Sequence, residues 1–268
     1  MKVGVLGGPG TFAWLAFRRF AELCRGHCSV QYFDDVDSLV TALLRGEIDV
    51  TCLAIQTSPG GFTAVADEVL RHRQLVPLAE TVLPYHCTLY VREGYTLQQV
   101  RLVLGHRSLE LARNWLRRHL PEARLEVRGS TAEAAREVIQ SNGDRAVVGS
   151  PALQEFVPGL TVAARGIDEG ALARWWAIGR SPLEDPLGTR ALVAGYSVTA
   201  AELSTFLAEC ARRGLRLEAL YLGPARGPEF RCDVLLAVQG EAPVTLALPL
   251  ERLEQGSRFS LRAAYRVF

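Results

Sequence analysis

The sequence of 268 residues lacks several features that would assign it to a common class of protein. Neither sign of charge is in large excess, because the sequence has 30 Lys and Arg and 29 Asp and Glu. It also has no long basic run that could bind nucleic acid. No apolar run approaches the ~20 residues of a membrane-spanning helix, and the N-terminus lacks a charged segment followed by a long apolar one. We therefore expect a cytoplasmic protein whose partners include neither nucleic acid nor a membrane.

Recognisable cysteine motifs are also missing. The six cysteines show no repeated C-x-x-C spacing and stand at positions 24, 28, 52, 87, 210 and 232. A chain of this size does not need disulfides to be stable, so we expect reduced thiols. Cys24, His27 and Cys28 could supply half of a metal site, but no second pair of ligands with matching spacing follows. We expect no bound metal.

Short β-like and helical patterns alternate along the chain, which predicts an α/β fold. Near the N-terminus they predict a strand, a helix, a second helix and a buried strand, in the stretches "KVGVLG", "TFAWLAFRRFAEL", "DVDSLVTALLRG" and "EIDVTCLAI". Asp37 or Ser38 can cap the second helix, and Gly46 can close it in the left-handed conformation. This half of the chain thus begins with a strand, a glycine-rich loop and a helix.

The middle of the chain alternates in the same way. A helix from about Ser108 to His119 and another over "TAEAAREVIQS" are interspersed with strands, which indicates a second α/β lobe with a largely parallel sheet. After the Pro- and Gly-containing residues 180–189, the pattern changes to strand, helix, two strands, a helix near "LPLERLEQ" and a final strand. Residues 180–189 are therefore the predicted linker.

Three loops follow predicted strands, where ligands of open α/β sheets bind. In "LGGPGTF" the glycines allow close backbone approach and the next helix offers free N–H groups to an anion, although a plain tight turn has the same pattern. In "AIQTSPGGF", residues 56–58 can bind a polar ligand or serve the turn. In "GSTAEAA", Ser130 and Glu133 fit a capping box, which explains both without a ligand.

The order of these motifs resembles that of the prephenate dehydratase family over nearly the whole chain. "GGPGTF" is similar to the family's G-P-x-G-T-F, "VLPYHCTLYV" to L-P-x-x-H-C-L, "STAEAA" to S-T-A-E-A-A, and "AVVGSPALQEF" to an Ala-Ile-Gly-Ser-like strand end. The resemblance implies a two-lobed, periplasmic-binding-protein-like catalytic domain over residues 1–180, with the site in its cleft. The lobes are expected at about 1–78 with 160–180 and at about 79–159, followed by an α+β ACT-like domain over residues 181–268.

The catalytic motif of the family is altered. Where the family has Thr-Arg-Phe, this sequence has Ala173, Arg174 and Trp175, and the family threonine is thought to be catalytic. Gln56 to Ser58 replace the family's Glu-Asn-Ser, and Ala13 replaces the serine after G-T-F. The phenylalanine-binding motifs Gly-Ala-Leu and Glu-Ser-Arg-Pro, expected near "AAEL" and "YLGP", are not intact.

The missing hydroxyl at position 173 has a chemical consequence. Loss of the ring carboxylate of prephenate pushes electrons into the ring, and a dehydratase then helps the ring hydroxyl to leave by proton donation or a strong hydrogen bond. Alanine offers neither. The sequence therefore predicts a carbon-carbon lyase similar to the prephenate decarboxylases of antibiotic and other specialised pathways, which give a non-aromatic dihydro-4-hydroxyphenylpyruvate.

Alternatives to a decarboxylase stay open. The chain could be a divergent prephenate dehydratase, a carbon-oxygen lyase that makes phenylpyruvate for phenylalanine biosynthesis. It could also be a non-catalytic descendant that senses an aromatic-pathway acid or serves as a scaffold. In each case the expected ligand is prephenate or a close analogue, no cofactor is needed, and the ACT-like domain is expected to form a homodimer or homotetramer.

The site residues are assigned from the resemblance and from side-chain chemistry. Arg174 is the predicted carboxylate ligand, because its guanidinium can bind a carboxylate with two hydrogen bonds; a surface ion pair is the alternative. Thr11 and His86 are the other predicted catalytic residues, although a lone histidine on a strand is usually structural. The remaining histidines are expected at the surface. The other predicted substrate contacts are Gly10, Phe12, Gln56, Thr57, Ser58, Ser130, Thr131 and Trp175.

Overall fold

The computed structural model describes residues 1–21, 28–58, 61–181, 189–226, 228–238 and 258–268. Fifteen strands and seven α-helices occur in these residues, arranged in two compact units. Unit 1 consists of Met1–Val65 and Val82–Trp175, and unit 2 of Ala66–Thr81 and Trp176–Phe268. Each unit is therefore built from two separate segments of the chain.

The first sheet of unit 1 carries the N-terminal glycine-rich loop. β1 pairs in parallel with β2 on one side and β3 on the other. Buried apolar side chains on both faces of β3 explain its nearly unbroken hydrophobic sequence, whereas those of β1, Val3 and Val5, share one face. The elements of this part are β1 (Lys2–Leu6), α1 (Phe12–Arg19), β2 (Ser29–Phe33), α2 (Val36–Arg45), β3 (Val50–Thr57) and β4 (Gly61–Phe62).

Helix α2 begins two or three residues earlier than predicted from its sequence. Asp35 is its N-cap, rather than Asp37 or Ser38, because the Asp35 carboxylate accepts a hydrogen bond from the backbone N–H of Ser38 at 2.8 Å. The C-cap prediction is confirmed, since Gly46 ends the helix with a φ of 76°. Glycine is required at that position because other residues rarely adopt this conformation.

The second sheet of unit 1 is mixed, so the expectation of a largely parallel sheet is wrong. β7 is parallel to β8 and β9, but β6 runs antiparallel to β9 and β10. No β-α-β crossover joins β6 to its neighbours, so the alternation of helices and strands does not set its direction. The strands, in sheet order, are β10 (Leu160–Ala164), β6 (Thr88–Arg92), β9 (Arg145–Gly149), β7 (Leu102–Gly105) and β8 (Arg124–Val127).

Three helices accompany this sheet, α4 (Arg113–His119), α5 (Thr131–Gln140) and α6 (Leu153–Phe156). The helix predicted from Ser108 is interrupted, because a 3₁₀ turn over Arg107–Glu110 precedes α4. Residues 160–164 pair within the second sheet, whereas the predicted lobe division places them with the first lobe. The lobe that contains the second sheet therefore extends to residue 164, rather than ending at about residue 159 as predicted.

Unit 2 has a separate core. β13, β14, β12 and β15 form antiparallel pairs in that order, and β15 pairs in parallel with β5. The apolar face of α7 packs Leu203, Phe206 and Cys210 into the same core as Phe259. Its elements are β12 (Arg190–Val198), α7 (Ala200–Arg212), β13 (Leu215–Arg226), β14 (Glu229–Val238) and β15 (Phe259–Val267). Three further elements have residues in both units, namely α3 (Ala64–Arg71), β5 (Val76–Pro84) and β11 (Leu172–Gly179).

Several sequence predictions concern residues that the structure does not describe. Cys24 and His27 of the half metal site lie outside the described residues, as do the helix predicted near "LPLERLEQ" and most of the predicted linker. The prediction of free thiols is confirmed for the other five cysteines, four of which are buried. Within the described ranges no helix is long and apolar enough to cross a membrane.

Candidate functional site

A cavity of about 790 Å³ lies in unit 1, where several strands end and helices begin. Its size suits a small-molecule ligand. The three loops predicted from the sequence contribute to its wall, together with the loop after β7 and the segment preceding β11. Seven of the predicted substrate contacts line it, namely Thr11, Phe12, Thr57, Ser58, Ser130, Thr131 and Trp175.

The glycine-rich loop brings the start of α1 to this cavity. Gly10 has a φ of 79°, and a Cβ there would approach the Leu153 Cα to 3.2 Å, so a larger residue would strain the loop. The Thr11 hydroxyl donates to the Gly8 carbonyl at 2.9 Å and accepts from the Trp14 N–H at 3.3 Å. Thr11 is therefore the N-cap of α1, and the first backbone N–H groups of that helix have no partner within it.

Helix α5 starts at the same cavity. The Ser130 hydroxyl accepts from the Glu133 N–H at 3.1 Å, and the Glu133 carboxylate accepts from the Gly129 N–H at 3.0 Å. The carboxylate thus binds one residue before the N-cap, so the predicted capping box is only half formed. Thr131 is buried beside the cavity. Two helix N-termini, each with a partial positive charge, contribute to one cavity wall.

Strand β11 presents its two faces to different surroundings. Ala173 lies on the same face as Ala171 and Trp175; all three are buried, and Ala171 and Trp175, but not Ala173, line the cavity. Arg174 lies on the other face of the strand, and its Nε donates to the Gln56 Oε1 at 3.1 Å. Arg174 and Gln56 are not among the lining residues, so their contact with substrate stays a prediction.

The predicted catalytic histidine, His86, also lies apart from the cavity lining. His86 is exposed and has a φ of 49°, and its carbonyl accepts from the Thr88 hydroxyl at 3.2 Å. Gly10 does not line the cavity either, although its carbonyl accepts a hydrogen bond from the buried Ser150 hydroxyl. That hydrogen bond attaches the glycine-rich loop to the end of β9.

Sequence reasoning missed several residues of the cavity wall. His106, expected at the surface, is half-buried and lines the cavity, so that expectation is wrong. It directly follows β7, and the strand-end rule applied to the other loops would have found it. Asp168 was also missed; its carboxylate accepts from the N–H groups of Cys87 at 2.6 Å and Ala171 at 3.1 Å. These bonds hold the segment that leads into β11.

Tyr85 was missed as well. Its ring packs edge-on against Phe12, with 4.8 Å between ring centroids, and both rings line the cavity. The Tyr85 N–H donates to the Ala171 carbonyl at 3.0 Å, which holds the residue beside the start of β11. Burial raises the pKa of Tyr85 to about 12, so its phenol is protonated at neutral pH and keeps a hydrogen that it can donate.

We expect Tyr85 to titrate later than an ordinary tyrosine. Subtracting the ultraviolet titration curve of Tyr85→Phe from that of the wild type should leave one phenol with a pKa near 12. Because the folded pKa lies above the unfolded value of 10, the native state holds this proton more tightly. Its contribution to stability is complete below pH 10 and is lost as the pH rises towards 12. A difference curve centred near 10 would contradict the burial of the phenol.

Comparison with known proteins identifies the class of protein. The model of the prephenate dehydratase family matches residues 3–183, which is more than half of the chain. The chain therefore belongs to the prephenate dehydratase family. The prephenate dehydratase of Amycolatopsis methanolica is 30% identical over 230 residues, covering 83% of this chain and 74% of that enzyme.

Solved structures confirm the α/β fold. The prephenate dehydratase of Arthrobacter aurescens in complex with L-Phe has a TM-score of 0.81 at 22% identity, covering 99% of this chain and 90% of that one. GqqA, described as a novel type of quorum quenching acylase, has a TM-score of 0.77 at 20% identity, covering 100% of this chain and 98% of that one. At these identities the similarity shows the fold alone.

Proposed function

We propose that the cavity of unit 1 binds prephenate and that the protein catalyses loss of its ring carboxylate. Membership of the family supports prephenate as the substrate. The location of the binding site is supported by one structural observation, that two helix N-termini contribute to one cavity, because prephenate has two carboxylates. Backbone N–H groups at the start of α1 would bind one carboxylate. Those at the start of α5, with the Thr131 hydroxyl, would bind the other.

The cavity wall also suits the removal of carbon dioxide. Phe12 and Trp175 supply apolar surface, and a carboxylate leaves more readily when water is excluded from it. The described side chains that line the cavity include no lysine or arginine, but they include the carboxylates of Asp34, Glu110, Asp168 and Glu169. Arg113 and Arg118 form ion pairs with Glu110 and Glu169, and the helix ends would supply positive potential for the substrate. Arg174 would then act as a positioning residue, through Gln56 and the loop that carries Thr57 and Ser58.

The family relationship favours dehydration, with phenylpyruvate as the product. The ring carboxylate and the ring hydroxyl then leave together, and the ring becomes aromatic. Ala173 favours a second outcome, because a methyl group stands where a dehydratase of this family has a hydroxyl. If the ring hydroxyl is retained, a proton must add to a ring carbon, and the product is a non-aromatic dihydro-4-hydroxyphenylpyruvate.

The two outcomes are separated by one experiment. Purified protein is incubated with prephenate at neutral pH, and the product is identified by mass and ultraviolet spectrum. Phenylpyruvate would establish a dehydratase that works without the threonine. A product that has lost carbon dioxide but kept its hydroxyl and a non-aromatic ring would establish a decarboxylase. Unchanged prephenate, measured against the spontaneous rate, would refute both.

We further propose that residues 1–180 form the catalytic part and that residues 181–268 form an ACT-like domain through which the protein assembles as a homodimer or homotetramer. An antiparallel sheet with α7 on one face supports this domain. The stretch "AAEL" forms the first turn of α7, capped by Thr199, and offers a different sequence from the family's effector motif. Isothermal titration with L-Phe, and sedimentation for the assembly, would test the proposal; we expect no binding of L-Phe at millimolar concentration.

A further inference from the structure

The hydroxyl of Tyr85 has no role in holding the fold together. The Tyr85 backbone N–H donates a hydrogen bond to the Ala171 carbonyl, and the ring packs against Phe12. Within the described residues the phenolic oxygen has no hydrogen-bond partner. Tyr85 is only partly buried and lines the cavity, so a ligand or water there can accept a hydrogen bond from the phenol. The phenol can therefore donate a hydrogen bond to a ligand bound in the cavity.

Other unpartnered hydroxyls line the cavity, but none has the same combination of rigidity and reach. Ser108, Thr131, Thr57 and Ser58 carry short side chains, and no hydrogen bond of their hydroxyls is found within the described part of the chain. Tyr85 extends further from its backbone, and its ring is fixed by edge-on packing. A donor that is fixed before the ligand arrives loses little entropy on binding.

The chemistry of prephenate indicates which oxygen this donor would meet. Both carboxylates and the keto group lie at one end of the molecule, attached to or near ring carbon 1, where the helix N-termini would hold them. The ring hydroxyl lies at the opposite end, on carbon 4, and is out of reach of groups bound to the carboxylates. A separate donor is needed there.

We propose that the Tyr85 hydroxyl donates a hydrogen bond to the ring hydroxyl of the bound substrate and so determines its orientation. This inference rests on the proposed function. If the ring hydroxyl departs, the same hydrogen bond strengthens as negative charge develops on the leaving oxygen. If it is retained, the bond selects for substrates that carry a hydroxyl at this position.

Two available ligands test the proposed hydrogen bond from Tyr85 by binding alone, without any reaction. Phenylpyruvate and 4-hydroxyphenylpyruvate differ only in a hydroxyl at ring carbon 4, and calorimetry gives their dissociation constants. We expect the wild type to bind the hydroxylated ligand about two- to tenfold more tightly, the usual factor for one neutral hydrogen bond. Tyr85→Phe should bind phenylpyruvate as the wild type does and lose the preference. Tyr32→Phe, an exposed tyrosine on β2, is the matched control and should keep it.

The other outcomes are equally informative. If Tyr85→Phe retains the preference, another group contacts the hydroxyl and the proposal is wrong. If the variant binds both ligands equally weakly, the phenol serves packing rather than recognition, which also overturns it. If neither ligand binds the wild type but prephenate is consumed, this contact is refuted while the proposed function stands; if prephenate is neither bound nor consumed, both fail.

Discussion

Replacing Ala173 with threonine is expected to raise the rate of phenylpyruvate formation from prephenate by about a hundredfold, at the lower end of what a positioned proton donor contributes. Position 173 lies on the same side of the chain as Ala171 and Trp175, which line the cavity, whereas Ala173 itself is buried and is not among the lining residues. The longer threonine side chain is expected to bring a hydroxyl to the cavity wall, where it can assist departure of the ring hydroxyl. The ultraviolet absorbance of phenylpyruvate provides the rate.

Valine at position 173 is the matched control for this prediction. It has the shape of threonine without the hydroxyl, so Ala173→Val should leave phenylpyruvate formation near the wild-type rate. Ala173 is only 1% exposed, and either substitution crowds the core at a cost of about 1–3 kcal/mol. Thermal melting shows whether both variants are folded. An equal rise in both would mean that volume, rather than a hydroxyl, controls the outcome.

Sequence patterns predicted those elements of the fold that local chemistry determines. Gly46 ends α2 and Ser130 starts α5 because each requirement is met by one or two neighbouring residues. The direction of β6 could not be predicted in the same way, since strand direction depends on the connection to a distant neighbour. The N-cap of α2 was misplaced because Asp35, Asp37 and Ser38 all have suitable side chains and only the backbone geometry distinguishes them.

The candidate site was predictable as a set of loops but not as a set of contacts. The strand-end rule selected the loops that contain Thr57, Ser58 and Ser130, and all three line the cavity. Arg174 was chosen for its charge, but the alternation of β11 points it to the face opposite Trp175. Tyr85 was passed over because a tyrosine in a β-like stretch usually serves packing, and its unpartnered hydroxyl is visible only in three dimensions.

Replacing Arg262 with alanine is expected to lower the free energy of unfolding of unit 2 by about 3 kcal/mol, the lower end of the cost of breaking a buried ion pair, because Arg231 still lies 3.4 Å from the Asp233 carboxylate. The Arg262 side chain is 5% exposed, and its Nη1 donates to the Asp233 Oδ1 at 2.9 Å. Its guanidinium also donates to the carbonyls of Leu70, His72 and Leu75, which joins the segment after α3 to β15. Chemical denaturation would measure the loss, and Arg212→Ala, an exposed ion pair on α7, should change stability by less than about 1 kcal/mol.

The pH dependence identifies the source of that loss. Burial raises the pKa of Asp233 even beside Arg262, and removal of the arginine should raise it further. A raised carboxyl pKa means that the native state binds the proton more tightly than the unfolded state, so the free energy of unfolding falls as the pH rises. The difference in free energy of unfolding between the wild type and Arg262→Ala should therefore be smaller in acid. Adding Asp233→Asn removes the buried carboxylate that Arg231 alone would then neutralise, and it should recover part of the loss at neutral pH. If it recovers none, the three carbonyl contacts of Arg262, rather than the ion pair, hold this part of unit 2 together.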